Sequence, residues 1–299
     1  MSGPGRFGAV VTAMVTPFDA EARLDVDGAV TLARWLADHG NDGLVLAGTT
    51  GESPTLSDDE KLTLWEAVAA AVTIPVIAGS SGSDTAHDIE ITKKASGLGV
   101  AGILALCPYY SRPSQAGIAA HLRAVAEAAG DLPVLLYDIP IRTGRKIGRE
   151  VLQDLLTNVP NIVGVKDAAA NPSWAARLIA DVPGIDLYSG DDVFTLPLLA
   201  VGACGVVSVA GHWTGRLQQR MCEAFWKGEV ELAREINARL LPSFLYETGD
   251  EAPNPIPSKA MLRELGLPAG ECRPPLGPAP AFVAEAARAI ITELGDDLG

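Results

Sequence analysis

Lys166 is the residue with the clearest chemical potential, because it ends the apolar run Ile162-Val163-Gly164-Val165 and is followed at once by Asp167. If that run is a strand, side chains alternate between its faces, and Lys166 shares a face with Gly164 and Ile162. Glycine beneath it would leave room for the lysine stem. A lysine so buried keeps more of its amine neutral and able to attack a carbonyl carbon, the first step of Schiff-base catalysis. The competing reading is a solvated lysine at a strand end.

Four other places carry polar groups just after an apolar run. In Leu135-Leu136-Tyr137-Asp138-Ile139-Pro140, Tyr137 shares a face with Leu135, so its phenol either moves protons at the end of the strand or simply packs. Asp138 and Arg142 lie close enough in sequence to pair at the surface. The run Gly48-Thr49-Thr50-Gly51-Glu52-Ser53 offers glycine-exposed N–H groups and two hydroxyls, either a cradle for a carboxylate or phosphate or a capping turn. Cys107-Pro108-Tyr109-Tyr110-Ser111-Arg112-Pro113 is a stiff aromatic loop suited to an interface, a substrate wall or ordinary packing. Ser189-Gly190-Asp191-Asp192 reads first as a cap for the next helix.

These residues need a scaffold that gathers strand ends. Short runs rich in Val, Ile and Leu at 9–16, 43–47, 75–79, 102–106, 133–137, 162–166, 186–189 and 205–209 read as strands. They alternate with segments of helical period at 26–39, 57–71, 84–98, 115–129, 149–157, 172–181 and 195–201, the second opened by the capping-box pattern Ser57-Asp58-Asp59-Glu60. Eight strand–helix repeats predict an α/β fold, a (β/α)8 TIM barrel, whose sites lie at the C-terminal ends of the strands. No GxGxxG follows the first strand, against an open dinucleotide-binding sheet. After the eighth strand the alternation stops, and 213–227, 230–246, 257–265 and 281–294 read as helices without strands. The expected organisation is a catalytic barrel over 1–212 and a C-terminal helical appendage over 213–299.

The charge balance narrows the partners. With 37 acidic and 23 basic residues the net charge is -14, which repels nucleic acid and anionic membrane surfaces, and no basic patch offsets it. The four cysteines, Cys107, Cys204, Cys222 and Cys272, show no CxxC pair, so a reducing, cytoplasmic setting is expected. The start of the chain is too weakly charged for a secretory leader and runs into the first strand. Of the four histidines only His212 follows a strand, and with Asp167, Asp191 and Asp192 it makes no convincing metal cluster.

Together, Gly48-Thr49-Thr50-Gly51-Glu52, Tyr137-Asp138-Ile139-Pro140, Gly164-Val165-Lys166-Asp167 and Ser189-Gly190-Asp191-Asp192, in this order and at these strand ends, resemble the dihydrodipicolinate synthase and N-acetylneuraminate lyase family. The resemblance runs from Thr12-Ala13-Met14-Val15-Thr16-Pro17-Phe18 to Asn254-Pro255-Ile256-Pro257-Ser258-Lys259. It implies that Lys166 forms the Schiff base with pyruvate and that Tyr137 relays protons with Thr49 and Tyr110, the last reaching into a neighbouring subunit. It further implies that Thr50 holds the pyruvate carboxylate and that Gly190 and Val207 line the pocket through their backbone.

Arg142 and the Thr49-Thr50 doublet favour the synthase side of the family, where the arginine grips the carboxylate of L-aspartate 4-semialdehyde. The implied reaction makes 4-hydroxy-tetrahydrodipicolinate for lysine and diaminopimelate synthesis, with small-molecule substrates, no cofactor, no metal and a homotetrameric assembly. Asp138, Ile141 and Ala168-Ala169-Ala170-Asn171 depart from the commonest pattern and leave the acceptor less fixed than the pyruvate. Another pyruvate aldolase, acting on a 2-keto-3-deoxy sugar acid or N-acetylneuraminate, and a non-catalytic ligand-binding barrel are the alternatives.

Overall fold

The structure is a computed structural model describing residues 3–80 and 82–299. All eight expected strands form: β1 (Val10–Ala13), β2 (Gly43–Leu46), β3 (Val76–Ser80), β4 (Gly102–Leu106), β5 (Val134–Asp138), β6 (Ile162–Asp167), β7 (Asp186–Ser189) and β8 (Gly205–Ser208). Each pairs in parallel with its sequence neighbours, and β8 pairs with β1, closing the barrel. Buried on both faces, the strands are nearly continuous Val, Ile, Leu and Ala, as parallel sheets covered by helices require.

The helices are α1 (Val26–Asp38), α2 (Asp58–Ala71), α3 (Thr85–Ser96), α4 (Gln115–Ala128), α5 (Pro140–Thr143), α6 (Arg149–Asn158), α7 (Pro172–Asp181), α8 (Thr195–Ala200), α9 (Gly211–Trp226), α10 (Val230–Tyr246), α11 (Ile256–Glu264) and α12 (Ala281–Leu294). The capping box opens α2, with Ser57 and Glu60 satisfying each other's backbone N–H. Asp25, Asp84, Ser114 and Asn171 cap α1, α3, α4 and α7 through their side chains. Among the described residues, no helix is long and apolar enough to cross a membrane.

Two apolar layers follow from the alternation. Val11, Ala13, Val45, Ile77, Leu104, Leu106, Leu135, Tyr137, Tyr188 and Val207 fill the barrel interior. Leu44, Leu46, Ile103, Leu136, Ile162 and Val165 face outward against the helices. One expectation fails here. Ile162 does not share a face with Lys166, because the β5–β6 register jumps from Val134↔Ile162 to Leu135↔Gly164, and the extra residue reverses the alternation.

The C-terminal helices are joined to the barrel mouth by charge. Lys259 of α11 and Glu52 of the β2 loop are both fully buried, with Nζ and Oε1 2.6 Å apart. The ammonium also donates to the Glu271 carbonyl at 3.1 Å and sits 4.0 Å over the Phe18 ring. Burial pushes the lysine's pKa down, and the charge and hydrogen bond of Glu52 oppose that fall. Arg273 adds a second tie: its backbone N–H donates to Glu52 Oε2, and its guanidinium meets both oxygens of Glu60.

Removing one partner of a buried pair strands the other charge, at a typical cost of about 3–5 kcal/mol. Lys259→Met is therefore expected to lower the stability in chemical denaturation by about that amount, and adding Glu52→Gln should restore most of it. Equal stability of Lys259→Met and wild type would show that the pair does not hold the appendage.

Candidate active site

At the C-terminal rim of the barrel a cavity of about 460 Å³ is lined by Thr49, Thr50, Tyr137, Arg142, Lys166 and Gly190, among others. These six residues, drawn from four separate stretches of the sequence, converge because parallel closure delivers every strand end to one rim. Tyr137 and Lys166 are direct partners across β5 and β6. Both are buried, and the lysine Nζ lies 4.3 Å from the centre of the tyrosine ring.

Room for the lysine comes from a different glycine than expected. A Cβ on Gly190 would stand 3.0 Å from Lys166 Cγ and 2.9 Å from Ala168 Cβ, so Gly190 is what admits the lysine stem. A Cβ on Gly164 would instead fall 1.9 Å from the Asp186 carbonyl oxygen, and that glycine serves close approach of β7 to β6.

The threonine loop is held from the appendage. Asn254 Nδ2 donates to Thr50 Oγ1 at 2.9 Å, which leaves the Thr50 hydroxyl proton available to a ligand in the cavity. Thr49 also borders an adjoining cavity of about 210 Å³ with Tyr109, Ser53, Ile139 and Arg142. Asn254 escaped the sequence reading as a site residue, although the Asn254-Pro255-Ile256-Pro257-Ser258-Lys259 segment was within the resemblance.

Arg142 is exposed and stands on α5, a single turn that begins at Pro140 and ends at Gly144, whose φ of 71° supplies the left-handed cap. The two residues were a readable signal for that turn. The suggested surface pair between Asp138 and Arg142 does not form. Asp138 is fully buried, accepting from Lys146 Nζ at 3.0 Å and from the Ile147 N–H at 3.1 Å. It thereby closes the base of the loop that carries Arg142. Burial raises the pKa of Asp138, and Lys146 and the Ile147 N–H counteract it.

Two predicted residues stand apart from the cavity lining. Val207 is buried in the barrel interior, while Val209, two residues on, borders the cavity. Tyr110 borders neither cavity; it is 92% exposed with φ 66°.

His212 has a structural place. It is fully buried, its Nδ1–H donating to the Val209 carbonyl and its Nε2 accepting from the Val15 N–H, so it clips the ends of β1 and β8 together. Among the described residues, no three His, Cys, Asp or Glu side chains converge in a way that could hold a metal ion.

A closed parallel barrel with a buried lysine and tyrosine paired at its rim, beside a hydroxyl loop, has the arrangement of a barrel enzyme's active site. The sequence model of the dihydrodipicolinate synthetase family matches residues 6–294. A 4-hydroxy-tetrahydrodipicolinate synthase of Moorella thermoacetica is 45% identical over 97% of this chain and 99% of its own length. Another of that name, from Acidothermus cellulolyticus, is 49% identical over 91% of this chain and 88% of its own. A crystal structure of DHDPS from Cyanidioschyzon merolae with lysine bound superposes with a TM-score of 0.93 at 44% identity, covering 97% of this chain and 98% of that one. The chain belongs to the dihydrodipicolinate synthetase family.

His212 gives the site a pH-dependent support. Complete burial lowers its pKa from 6.5 to about 4, so an unfolded chain takes up this proton before the folded one does. The stability it contributes is present above about pH 6.5 and is lost as pH falls toward 4, on the order of 3 kcal/mol in all. Denaturant titrations across that window should show His212→Gln losing less stability than wild type; parallel losses would assign the acid sensitivity elsewhere.

Proposed function

We propose that this chain condenses pyruvate with L-aspartate 4-semialdehyde to 4-hydroxy-tetrahydrodipicolinate, in the synthesis of diaminopimelate and lysine. The observation that carries the reading is the Lys166–Tyr137 pair, in register on adjacent strands and buried in one cavity with Thr49, Thr50 and Arg142. The Lys166 amine attacks the ketone carbon of pyruvate and water leaves, giving an iminium whose nitrogen acts as an electron sink. Loss of a methyl proton then gives an enamine. Its carbon attacks the aldehyde, the new alkoxide takes up a proton, and the acceptor's amine displaces Lys166 from the imine carbon to close the ring.

Tyr137, adjacent to the lysine, serves as the proton carrier, with Thr49 as its hydroxyl neighbour. Thr50 receives the pyruvate carboxylate through the hydroxyl proton that Asn254 leaves free. Gly190 and Val207 support the wall, the first by admitting the lysine stem and the second from the interior layer. Arg142 is exposed at the mouth, where its planar fork can take the acceptor's carboxylate in two parallel bonds. The barrel, 1–212, supplies the reacting groups, and the helical appendage, 213–299, closes and braces the mouth.

Tyr110 completes the relay in a neighbouring subunit of a homotetramer. A tyrosine 92% exposed in left-handed backbone gains nothing from packing within one chain, and a second copy supplies the missing contact. A cytoplasmic location accords with four free, buried cysteines.

Borohydride added with pyruvate is expected to inactivate the protein and to leave a pyruvyl-derived mass on Lys166, while chelators leave activity intact. Activity with Lys166 unmodified, or activity lost to a chelator and restored by metal, would overturn the mechanism.

Arg142→Ala separates the two substrates. It should raise the KM for aspartate semialdehyde at least about tenfold, the scale of one lost charge-assisted contact, and leave that for pyruvate nearly unchanged. A shift in the pyruvate KM alone, or in neither, would remove the arginine from the acceptor site.

A further inference from the structure

The chain between β5 and α6, residues 139–148, is pinned at one point. Asp138, the last residue of β5, accepts from Lys146 Nζ at 3.0 Å and from the Ile147 N–H at 3.1 Å, so one carboxyl draws the far end of the loop back to its start. Lys146 Nζ also packs 3.7 Å over the ring of Trp174 on α7, which ties the loop to the next strand–helix unit. Asp167, the register partner of Asp138 on β6, is buried as well. Its Oδ1 accepts from the Ala169 N–H, and its Oδ2 is buried without a hydrogen-bond partner among the described residues. One ammonium therefore faces two buried carboxyls and an aromatic ring, and among the described residues no other cation makes an ion pair with either acid.

The chain between this fixed point and Arg142 is short and stiff. α5 is a single turn, begun by Pro140 and ended by Gly144, and the Thr143 hydroxyl lies 3.1 and 2.7 Å from the carbonyl oxygens of Ile139 and Arg145. Gln115 of α4 holds the same stretch from the other side, donating to the Lys146 carbonyl and accepting from the Gly148 N–H. Arg145 Nε donates to the Pro113 carbonyl at 3.0 Å. Arg142, in contrast, makes no ion pair among the described residues. Its place at the cavity is set by the loop that carries it.

We infer that Lys146 is a positioning residue for the acceptor: clamped on Asp138 and Trp174, it sets where the Arg142 guanidinium stands at the cavity. The inference rests on the condensation proposed above, in which Arg142 meets the acceptor's carboxylate. Lys146 lies outside the cavity lining and acts through the loop alone. An arginine on a free loop must be ordered when the carboxylate arrives, and that cost weakens binding; a loop clamped on folding has already met it. A bidentate contact is the more demanding case, because two N–H groups must be aligned at once. Displacing the loop therefore weakens acceptor binding, while the pyruvate step keeps its groups on β5 and β6.

Lys146→Met removes the clamp while keeping a stem of similar length, and the lysine side chain is 34% exposed, so the change opens no cavity in the core. It should raise the KM for aspartate semialdehyde at least about fivefold, with the pyruvate KM and the rate of borohydride trapping on Lys166 within about twofold of wild type. Lys146→Arg, whose guanidinium can meet Asp138 and lie over Trp174, should restore the wild-type KM. The comparison that separates positioning from plain stabilisation is made in an Arg142→Ala background. There a lysine that works through Arg142 has nothing left to place, and adding Lys146→Met should change the aspartate semialdehyde KM by less than about twofold. Should Lys146→Met fail to fold because the Asp138 charge is stranded, Lys146→Met with Asp138→Asn, whose amide oxygen can keep the Ile147 bond, makes the same comparison. Losses that add in the Arg142→Ala background, equal losses for both substrates, or no loss would overturn the inference. An Arg142→Ala enzyme with the wild-type KM for aspartate semialdehyde would instead overturn the acceptor assignment, and the role of Lys146 with it.

Discussion

Parallel closure of eight strands is the constraint on which the rest of this structure depends. It forces every strand to end at the same rim and fixes which side chains meet there. Lys166 is in register with Tyr137 on one side and with Tyr188 on the other, so two tyrosines flank the lysine in the sheet by topology alone. Their fates differ. The Tyr188 hydroxyl accepts from the Phe7 N–H at 3.0 Å, and burial pushes its pKa upward, which commits it to sealing the barrel interior. Tyr137 instead faces the cavity.

A barrel rim made only of strand ends and short loops would be open to water. Here the segment after α10 covers part of it, bringing Glu247, Thr248, Gly249, Asp250, Pro253 and Asn254 to the cavity wall. That segment is anchored at both levels of the threonine loop, by Asn254 on Thr50 and by Lys259 on Glu52. Glu52 itself takes a left-handed φ of 57°, a conformation that favours glycine, and the buried lysine and the Arg273 N–H hold it there. Strain in the loop and ionic bonding to the appendage are thus two sides of one arrangement. The threonine loop cannot relax without releasing α11.

The strand positions were legible because each strand is a short apolar run bounded by polar or glycine-rich turns, and Lys166 and Tyr137 were legible as polar residues ending such runs. What stayed hidden depended on contacts distant in sequence. The irregularity in β6 left no trace, since Ile162, Val163 and Val165 are all apolar and period-two reasoning has nothing to count. The space for Lys166 was assigned to Gly164, its neighbour in the strand, although Gly190 supplies it from the next strand end. Lys146 lies in a loop and Glu247 just past a helix end, where the sequence offered no signal for either. The ion pair of the first and the burial of the second follow only from how the loop folds back onto Asp138 and how α10 meets Asp192. The 1–212 and 213–299 division marks where the strands stop, yet the cavity draws its wall from both sides of it.

Electrostatics around the amine complete the argument. In a chain of net charge -14, any positive charge at the cavity is local and stands against the overall field. Asp138 and Asp167 follow Tyr137 and Lys166 directly, each with its pKa raised chiefly by burial. Lys146 opposes both shifts. Its ammonium bonds Asp138 and packs 3.7 Å over the Trp174 ring, an aromatic face that favours a cation. Two of this loop's three cations therefore have separate places: Lys146 faces inward and balances the carboxyls behind Tyr137 and Lys166, while Arg142 remains at the mouth with no ion pair among the described residues. Had Asp138 paired with Arg142 at the surface, the guanidinium beside the cavity would have been occupied by a carboxylate. Its burial against Lys146 leaves the arginine free of that acid.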